Sequence, residues 1–492
     1  MTPIQSKRAG KFDIEPGREV YGELNLAGQA TSLYLRDEAS FSIRGDGHRC
    51  ITGVLHDLTK VTLVDCTSAG PGHAIRSKEQ YTFEEVLPHY VVLGDRHIDP
   101  TDQSISGVHF VIGDAADLFY DFDAFGYVLD AQPFIDEIAH ANSLDRGVEV
   151  GPNPKILYFT GKSEVLSFDT DTGRISVNHN PQHNLGGPHG VWLRNTIVVT
   201  IAFTKPVTFS DMTFHTYTLV RHLGLLVGRP QSLERLSLSI ASDTTRATPL
   251  DVHASLWPTH SASRSDRKPH PSDLLIDAVR NRCRVLVEWL SRWASWSDAR
   301  GRFFDCFERQ MDYDIDRLVA SANMFDLLPP AAVPGTTELS EGLRKARDSA
   351  RKEFKALPWS EDRDGILGAL GRIGKSSLKS KIEHRATLLP ETVRSRLPRL
   401  LAVVREGVRC RNHYVHGIEA RFDYNKQFDA MPFFTDTFEF IFAASDLVEA
   451  GWDMSAWAET CTGMFHPFAR YQARYKERLQ TLDSLIPPQE MP

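Results

Sequence analysis

The segment L-P-R-L-L-A-V-V-R-E-G-V-R-C-R-N-H-Y-V-H-G, residues 397–417, decides how the second half of this chain folds. Its apolar residues recur at helical spacing, so we predict one helix from Leu397 to His416. Gly417 follows this helix and suits the left-handed conformation in which many helices end. The apolar face of the predicted helix consists of Leu401, Val404, Val408 and Val415.

Three polar residues lie near the end of this helix. Arg411 and Asn412 border its apolar face, so the guanidinium needs a carboxylate, a phosphate or a water-filled cleft as its partner. Asn412 precedes His416 by four residues and can orient its ring, while the helix dipole favours a protonated imidazole in the last turn. Because Arg411 and His416 project about 140° apart, at about 100° per residue, we expect them to converge only across a cleft shared with a second helix or subunit.

The first half of the chain has a different period. Apolar and polar residues alternate in Y-G-E-L-N-L (21–26) and S-L-Y-L-R (32–36), as in half-buried strands. The segments K-V-T-L-V-D-C (60–66) and N-T-I-V-V-T-I-A-F (195–203) are rich in β-branched residues. Short strands separated by turn residues favour an antiparallel sandwich or a barrel-like region.

These two periods predict a multidomain α+β chain. A β-rich, sandwich-like domain occupies residues 1–260, a polar, proline-bearing linker spans 261–273, and an all-α region follows at 274–487, with a helical-bundle core at about 310–480. Apolar residues at helical spacing mark further helices: Leu286, Trp289, Trp293 and Trp296; Met311, Ile315, Leu318, Val319 and Ala322; Leu339, Leu343, Ala346, Ala350 and Phe354. Their aromatic residues are expected in the core.

Charge is distributed unevenly along the chain. The net charge is −8, but residues 341–411 carry 18 Lys and Arg against 9 Asp and Glu. A cationic segment in an acidic protein is typical of a phosphate-docking surface. A solvated helix face with ion pairs between successive turns explains the same composition, and the sequence leaves both interpretations open.

Other features exclude several classes of site. No apolar run is long enough for a membrane span and the N-terminus has no apolar signal segment, so we expect a cytoplasmic protein without membrane contact. Two aspartate pairs, Asp121 with Asp123 and Asp169 with Asp171, resemble the start of a calcium loop but lack its later glutamate. The glycines of H-N-L-G-G-P-H-G (183–190) lack the lysine of a nucleotide-binding loop. We therefore expect neither a metal nor a cofactor.

The segment R-N-H-Y-V-H (411–416) resembles the R-polar-x3-H motif of HEPN domains, an α-helical superfamily rich in metal-independent ribonucleases. Residues 316–329, 366–385 and 440–452 resemble the ApeA-type HEPN family, and the β-rich half resembles the N-terminal domain of the same family more loosely. Together these similarities cover nearly the whole chain.

The resemblance implies a bacterial anti-phage defence protein, a toxin that cleaves RNA and causes abortive infection. Its catalytic residues are Arg411, Asn412 and His416, and 2′-hydroxyl attack gives a 2′,3′-cyclic phosphate. Expected RNA-binding residues are Lys375, Lys379, Lys381, His413 and Tyr414. Expected partners are structured RNA such as tRNA, a second copy that forms a homodimer through the HEPN domain, and an unknown phage trigger sensed by the N-terminal domain.

Two alternatives stay open at this point. One is a non-catalytic HEPN dimer that binds RNA or a partner protein. The other is a structural role, in which Arg411 forms a buried salt bridge and His416 caps its helix. Whether Arg411 and His416 face one solvent-accessible cleft distinguishes these interpretations from catalysis.

Overall fold

The computed structural model of this protein describes residues 6–41, 43, 49–76, 79–141, 151–184, 186–241, 248–255, 268–276, 283–335, 339–424, 430–461 and 463–486. The chain forms two compact units, Met1–Cys283 and Arg284–Pro492. Most of the predicted linker, 261–267, lies outside the described residues. The first unit is rich in strands and the second is helical, which confirms the predicted α+β class.

Strands dominate the first unit. They are β1 (Ser6–Glu15), β2 (Arg18–Leu26), β3 (Ser32–Asp37), β4 (Arg49–Leu55), β5 (Lys60–Arg76), β6 (Glu79–Gly94), β7 (Ile105–Ile112), β8 (Phe125–Val128), β9 (Ile156–Phe159), β10 (Glu164–Asp169), β11 (Gly173–His183), β12 (Leu193–Val207), β13 (Leu233–Ile240) and β14 (Leu250–Ala254). The four segments quoted above for their strand patterns all lie in strands.

Within the described residues, twelve of these strands form one antiparallel sheet in the order β10-β11-β12-β7-β13-β14-β6-β3-β2-β1-β4-β5. β5 also pairs with β6, so β6, β3, β2, β1, β4 and β5 close into a barrel. Alternate side chains of these strands fill its interior, among them Phe12, Leu24, Leu33, Leu63 and Val86. The remaining strands extend the sheet outward from β14, which pairs with β6.

The first unit also contains helices α1 (Ala115–Leu118), α2 (Gln132–Ala141) and α3 (Phe209–Val227). Helix α3 begins where the Thr208 side chain accepts a hydrogen bond from the Asp211 N–H, and it ends at Gly228, which has a φ of 92°. It packs on β7 and β12. The strand-like pattern of this half does not predict α3, because most of its side chains are buried and its apolar residues show no single face.

Helices form the second unit. They are α4 (Cys283–Ser291), α5 (Trp293–Phe307), α6 (Ile315–Asn323), α7 (Glu341–Ala356), α8 (Glu361–Arg372), α9 (Leu378–Thr387), α10 (Glu391–Arg394), α11 (Leu400–His416), α12 (Ala430–Glu449), α13 (Met454–Thr460) and α14 (Pro467–Leu485). None of the helices in the described ranges is long and apolar enough to cross a membrane.

Helix α12 is the centre of this bundle. It is buried along most of its length and contacts α5, α6, α9, α11 and α14. Helix α11 approaches it at Gly407, where an added Cβ would lie 2.7 Å from a ring carbon of Phe438 and 3.2 Å from the Cβ of Phe434. The missing side chain at Gly407 therefore sets the close approach of the two helices.

Two buried ion pairs fix α12 against its neighbours. Arg317 of α6 donates through Nε and Nη2 to the two carboxylate oxygens of Glu439, at 2.9 Å each. Arg300 of α5 binds Asp446 in the same two-pronged way, also at 2.9 Å. Since removing one member of such a pair leaves an uncompensated buried charge, these contacts hold α5 and α6 firmly in position.

The helices α7 and α8 differ from the rest of the unit. They pack against each other, but neither contains a buried residue. The face predicted for α7 from Leu343, Ala346, Ala350 and Phe354 is therefore not buried, and Leu343 is 55% exposed. The helical spacing of apolar residues predicted the helix correctly but did not show whether another element covers its apolar face.

Candidate active site at the end of helix α11

Helix α11 begins at Leu400, three residues later than predicted, and ends at His416 as predicted. Gly417 has a φ of 68°, and its N–H donates to the carbonyl of His413 at 2.9 Å. A left-handed residue at this point ends the helix and leaves His416 in its last turn. The turn after the helix is thus a direct consequence of the glycine.

The buried face of α11 differs from the predicted one. Val404 and Val408 are buried, but Leu401 and Val415 are 38% and 43% exposed. The helix contacts α12, α9 and α6, and its buried side chains are Leu400, Val403, Val404, Glu406, Val408 and Cys410. The predicted face is wrong by about one position because the helix is enclosed by three neighbours, which cover a wider arc than one stripe.

The half-buried guanidinium of Arg411 is the centre of the site. Its Nη1 donates to Oδ1 of Asn412 at 2.9 Å and lies 3.0 Å from Nε2 of His416. Its Nη2 donates to Oδ1 of Asn323, the last residue of α6, at 2.8 Å. These contacts bring the three residues predicted as catalytic into one cluster within a single chain.

The expectation that Arg411 and His416 diverge is therefore wrong. The angle of about 140° holds for the Cα–Cβ directions, but the long arginine side chain crosses the end of the helix. At that end no further turn separates it from the imidazole of His416, which is exposed. The expected contact between Asn412 and His416 is replaced by one between Asn412 and Arg411.

The contact with Arg411 also assigns the roles of the ring nitrogens of His416. A guanidinium can only donate hydrogen bonds, so Nε2 of His416 accepts from Nη1 of Arg411 and carries a lone pair. The proton of the neutral ring then lies on Nδ1.

The partners of Arg411 are all neutral. Among the described residues, Arg411 forms no ion pair with a carboxylate, and its Nε–H has no hydrogen-bond partner. Arg317 and Arg300, in the same unit, each bind a carboxylate through two nitrogens. The salt bridge required by the structural alternative is therefore absent from the part of the chain that the structure describes.

Asn323 is the site residue that the sequence did not single out. It lies in S-A-N-M-F-D, a segment that contributes to the family resemblance, and it ends α6. The ion pair between Arg317 and Glu439 anchors α6 to α12 and so places Asn323 beside Arg411. Its contact spans 88 positions of the chain, a distance over which spacing carries no information.

His413 and Tyr414, predicted to bind RNA, lie against their own chain. Nδ1 of His413 is 2.7 Å from the carbonyl oxygen of Ile418, so it donates to the segment that follows the helix. The ring of Tyr424 lies close to both His413 and Tyr414, and its hydroxyl donates to the buried Glu406 at 2.7 Å. These contacts favour a role in holding this segment rather than in contacting RNA.

The three predicted RNA-binding lysines have different surroundings. Lys375 precedes α9 and Lys379 lies in its first turn, and both are exposed. Lys381 forms an ion pair with Asp326 at 2.8 Å, so its charge is already compensated. Lys375 and Lys379 remain available to an anionic ligand.

Two further observations limit the chemistry of the site. Burial raises the pKa of Cys410 to about 12, so this thiol beside Arg411 is not a nucleophile near neutral pH. In the described ranges, no group of three or more His, Cys, Asp and Glu side chains is arranged to hold a metal ion.

Comparison with known families adds the identity of both parts. The family described as ApeA N-terminal domain 1 matches residues 7–293, more than half of the chain, and the family described as Apea-like HEPN matches residues 320–456. No curated protein and no solved structure matches the chain. The second match contains Asn323, Arg411, Asn412 and His416. The chain therefore belongs to the ApeA-like HEPN family of anti-phage proteins.

Proposed function

We propose that this protein is an endoribonuclease that cleaves RNA at the Arg411–His416 pair without a metal ion. One observation carries the proposal: a guanidinium with only neutral partners lies 3.0 Å from an imidazole lone pair at the exposed end of a helix. A cation without a carboxylate partner beside a base suits a reaction in which a phosphate and a hydroxyl group meet.

His416 acts as the general base in this proposal. When the phosphate binds, Nη1 of Arg411 turns from Nε2 of His416 to a phosphate oxygen. Nε2 then takes the proton from the 2′-hydroxyl of the substrate, and the 2′-oxygen attacks the adjacent phosphorus. The bond from phosphorus to the 5′-oxygen breaks, and this oxygen takes a proton from a general acid or from water. The products are a 2′,3′-cyclic phosphate and a 5′-hydroxyl end.

Arg411 binds the phosphate and stabilises the charge that develops on it. Three of its N–H groups have partners in the chain and its Nε–H is buried. The phosphate oxygens therefore take the second N–H of Nη2 and the N–H of Nη1 that leaves His416. Asn323 and Asn412 hold the guanidinium plane from two sides, so they are positioning residues. Because both amides are neutral, they orient the cation without reducing its charge.

The proposal also includes a homodimer. Its support is no longer the divergence of Arg411 and His416 but the exposed apolar residues near them. Leu401 and Val415 are exposed on α11, and Ile418 is exposed just after it. Val415 and Ile418 lie close to His416 along the chain, and exposed apolar side chains at this place suit a surface that a second copy covers. The second copy would also exclude water from the site.

The remaining parts of the proposal follow from the family. The strand-rich unit would sense a phage component and release the activity of the helical unit, and cleavage of structured RNA such as tRNA would arrest the infected cell. The observation in its favour is the division of the chain into two compact units, each matched by its own family. A HEPN dimer that binds RNA without cutting it is the second candidate.

End-group analysis tests this proposal. The full-length protein is incubated with total RNA in excess EDTA, and the new ends are identified by enzymatic labelling. We expect cleavage that leaves 5′-hydroxyl and 2′,3′-cyclic phosphate ends. Cleavage that requires added Mg²⁺ or leaves 5′-phosphate ends contradicts the mechanism, and RNA binding without cleavage supports the second candidate.

A further inference from the structure

A groove of about 420 Å³ lies beside Asn412, between α9, α11 and α14. Binding sites for small ligands usually have volumes of about 300–1,000 Å³, so the groove is large enough for one nucleotide. Its floor is aliphatic: Ala402, Val403 and Val408 come from α11, and Leu479 and Leu482 come from α14. Such a floor can cover the flat, apolar face of a nucleobase.

The rim of the groove is cationic. Its basic residues are Lys379, Arg399, Arg405, Arg409 and Arg421, and its acidic residues are Glu406 and Asp483. Charge complementarity therefore favours an anionic ligand over a neutral one.

Only part of this positive charge is compensated by the chain. Arg399 pairs with Asp483 at 2.8 Å, Arg405 with Glu383 at 2.7 Å, and Arg421 with Glu406 at 3.5 Å. Lys379 and Arg409 have no carboxylate partner among the described residues, and the nearest acceptor of Arg409 is the carbonyl of Glu419 at 3.5 Å. Among the described residues, these two side chains are the cations of the groove without a carboxylate partner.

The groove adjoins the candidate active site through one shared residue. Asn412 lines the groove, and its Oδ1 accepts the hydrogen bond from Arg411. Arg409 lies one helical turn before Asn412, on the same side of α11. A ligand that contacts Asn412 in the groove is thus one hydrogen bond away from the guanidinium of Arg411.

We infer that this groove binds one nucleotide of the RNA substrate, next to the phosphate that is cleaved. The aliphatic floor covers the base, and Lys379 and Arg409 bind the phosphate of that nucleotide. The inference rests on the proposed function for the identity of the ligand. An apolar helix of a second copy would leave both cations without an anionic partner, so RNA is the better occupant.

Binding of a single-stranded RNA pentamer to full-length His416→Ala protein tests the inference, with fluorescence anisotropy as the measurement. We expect Lys379→Gln and Arg409→Gln each to weaken binding about fivefold to tenfold. Each should also reduce the slope of log affinity against log salt by about 0.7, the value for one phosphate contact on a single strand. Ala402→Trp fills the groove and should weaken binding at least about tenfold with an unchanged salt slope.

Lys476→Gln is the matched control, because this exposed lysine of α14 does not line the groove. Its affinity and salt slope should equal those of the parent. Thermal melting checks that each variant folds, and the two glutamine variants test the inference even if Ala402→Trp does not fold. Adenosine monophosphate is a second probe, and we expect it to compete only weakly.

Several outcomes overturn the inference. Parental affinity and salt slope in Lys379→Gln and Arg409→Gln would do so, as would tighter binding of adenosine monophosphate than of the pentamer. A change in molecular mass for Ala402→Trp with unchanged RNA affinity would make the groove a protein interface. If the wild-type protein cuts RNA although one of these outcomes is found, the proposed function is supported and only the groove inference fails. If the variants weaken RNA binding but the wild-type protein never cuts RNA, the groove inference is supported and the cleavage proposal fails.

Discussion

Arg300 and Arg411 belong to the same helical unit, but their surroundings are opposite. Arg300 is 1% exposed, holds both carboxylate oxygens of Asp446 and donates to the carbonyl of Trp289 at 2.8 Å. Burial lowers the pKa of its guanidinium and Asp446 opposes this shift. Arg411 lies at an exposed helix end with two amides and an imidazole around it.

The difference separates a structural role for Arg300 from a ligand-binding role for Arg411. A guanidinium whose charge is neutralised inside the protein contributes to stability, and its removal strands a buried carboxylate. A guanidinium oriented by neutral groups keeps its charge for a ligand. Arg411 therefore contributes little to the fold and is prepared to bind an anion.

The largest effect is expected for His416→Ala. Removal of the general base should lower the rate of RNA cleavage by about 10² to 10⁴. Thermal stability should stay unchanged, because the side chain is exposed and Gly417 still ends the helix. His384→Ala is the control, since His384 also lies in the last turn of a helix, α9. Equal cleavage rates for the two variants would remove His416 from the mechanism.

Arg300→Met should have the largest effect on stability. The change leaves Asp446 buried with reduced compensation, and we expect a loss of about 3–5 kcal/mol in the free energy of unfolding. Urea denaturation followed by circular dichroism measures this loss. A change below about 1 kcal/mol would show that the buried pair contributes no more than a surface contact, and the comparison with Arg411 would lose its basis.

Asn323→Asp sharpens the comparison, because it gives Arg411 a carboxylate partner like that of Arg300. The new charge should compete with the substrate phosphate, so we expect cleavage to fall about 10- to 100-fold. Stability should hold or rise as the ion pair forms. Asn323→Ala is the matched variant and should lower the rate less, because it removes orientation without adding a competing charge. Wild-type cleavage by Asn323→Asp would contradict the positioning role.

The smallest effect is expected for Lys381→Gln. Asp326 already compensates this lysine, so RNA affinity and its salt dependence should change less than about twofold. The loss of a partly exposed ion pair should lower stability by at most about 1 kcal/mol. Lys375→Gln removes an exposed charge that has no ion-pair partner among the described residues, and it should affect the salt dependence more. The reverse order in a titration series would mean that Lys381 leaves Asp326 to bind RNA.

Periodicity and turn residues predicted much of the fold. The quoted segments of β2, β3, β5 and β12 alternate or are rich in β-branched residues, and α11 ends at Gly417 because a left-handed residue is needed there. Periodicity did not predict helix α3, since a helix that is buried on most sides shows no amphipathic period. Periodicity also did not predict that the apolar face of α7 is unburied, because the spacing of apolar residues does not show whether another element covers them.

The site was predictable only in part. The motif and its helix end identified Arg411, Asn412 and His416. Their mutual geometry depended on side-chain length and on the end of the helix, which an angle per residue does not include. Asn323 comes from a distant helix that the buried ion pair of Arg317 fixes in place, so no local pattern indicated it.

The cleavage rate of Arg411→Met, measured per folded molecule, tests the central claim most directly. Methionine keeps the apolar stem of the side chain and removes only the charge and its donors. We predict a fall of at least about 10²-fold in cleavage of RNA, in a protein whose free energy of unfolding changes by less than about 1 kcal/mol. A rate equal to that of the wild type, especially with a loss of about 3–5 kcal/mol in stability, would contradict the claim and make Arg411 a structural residue like Arg300.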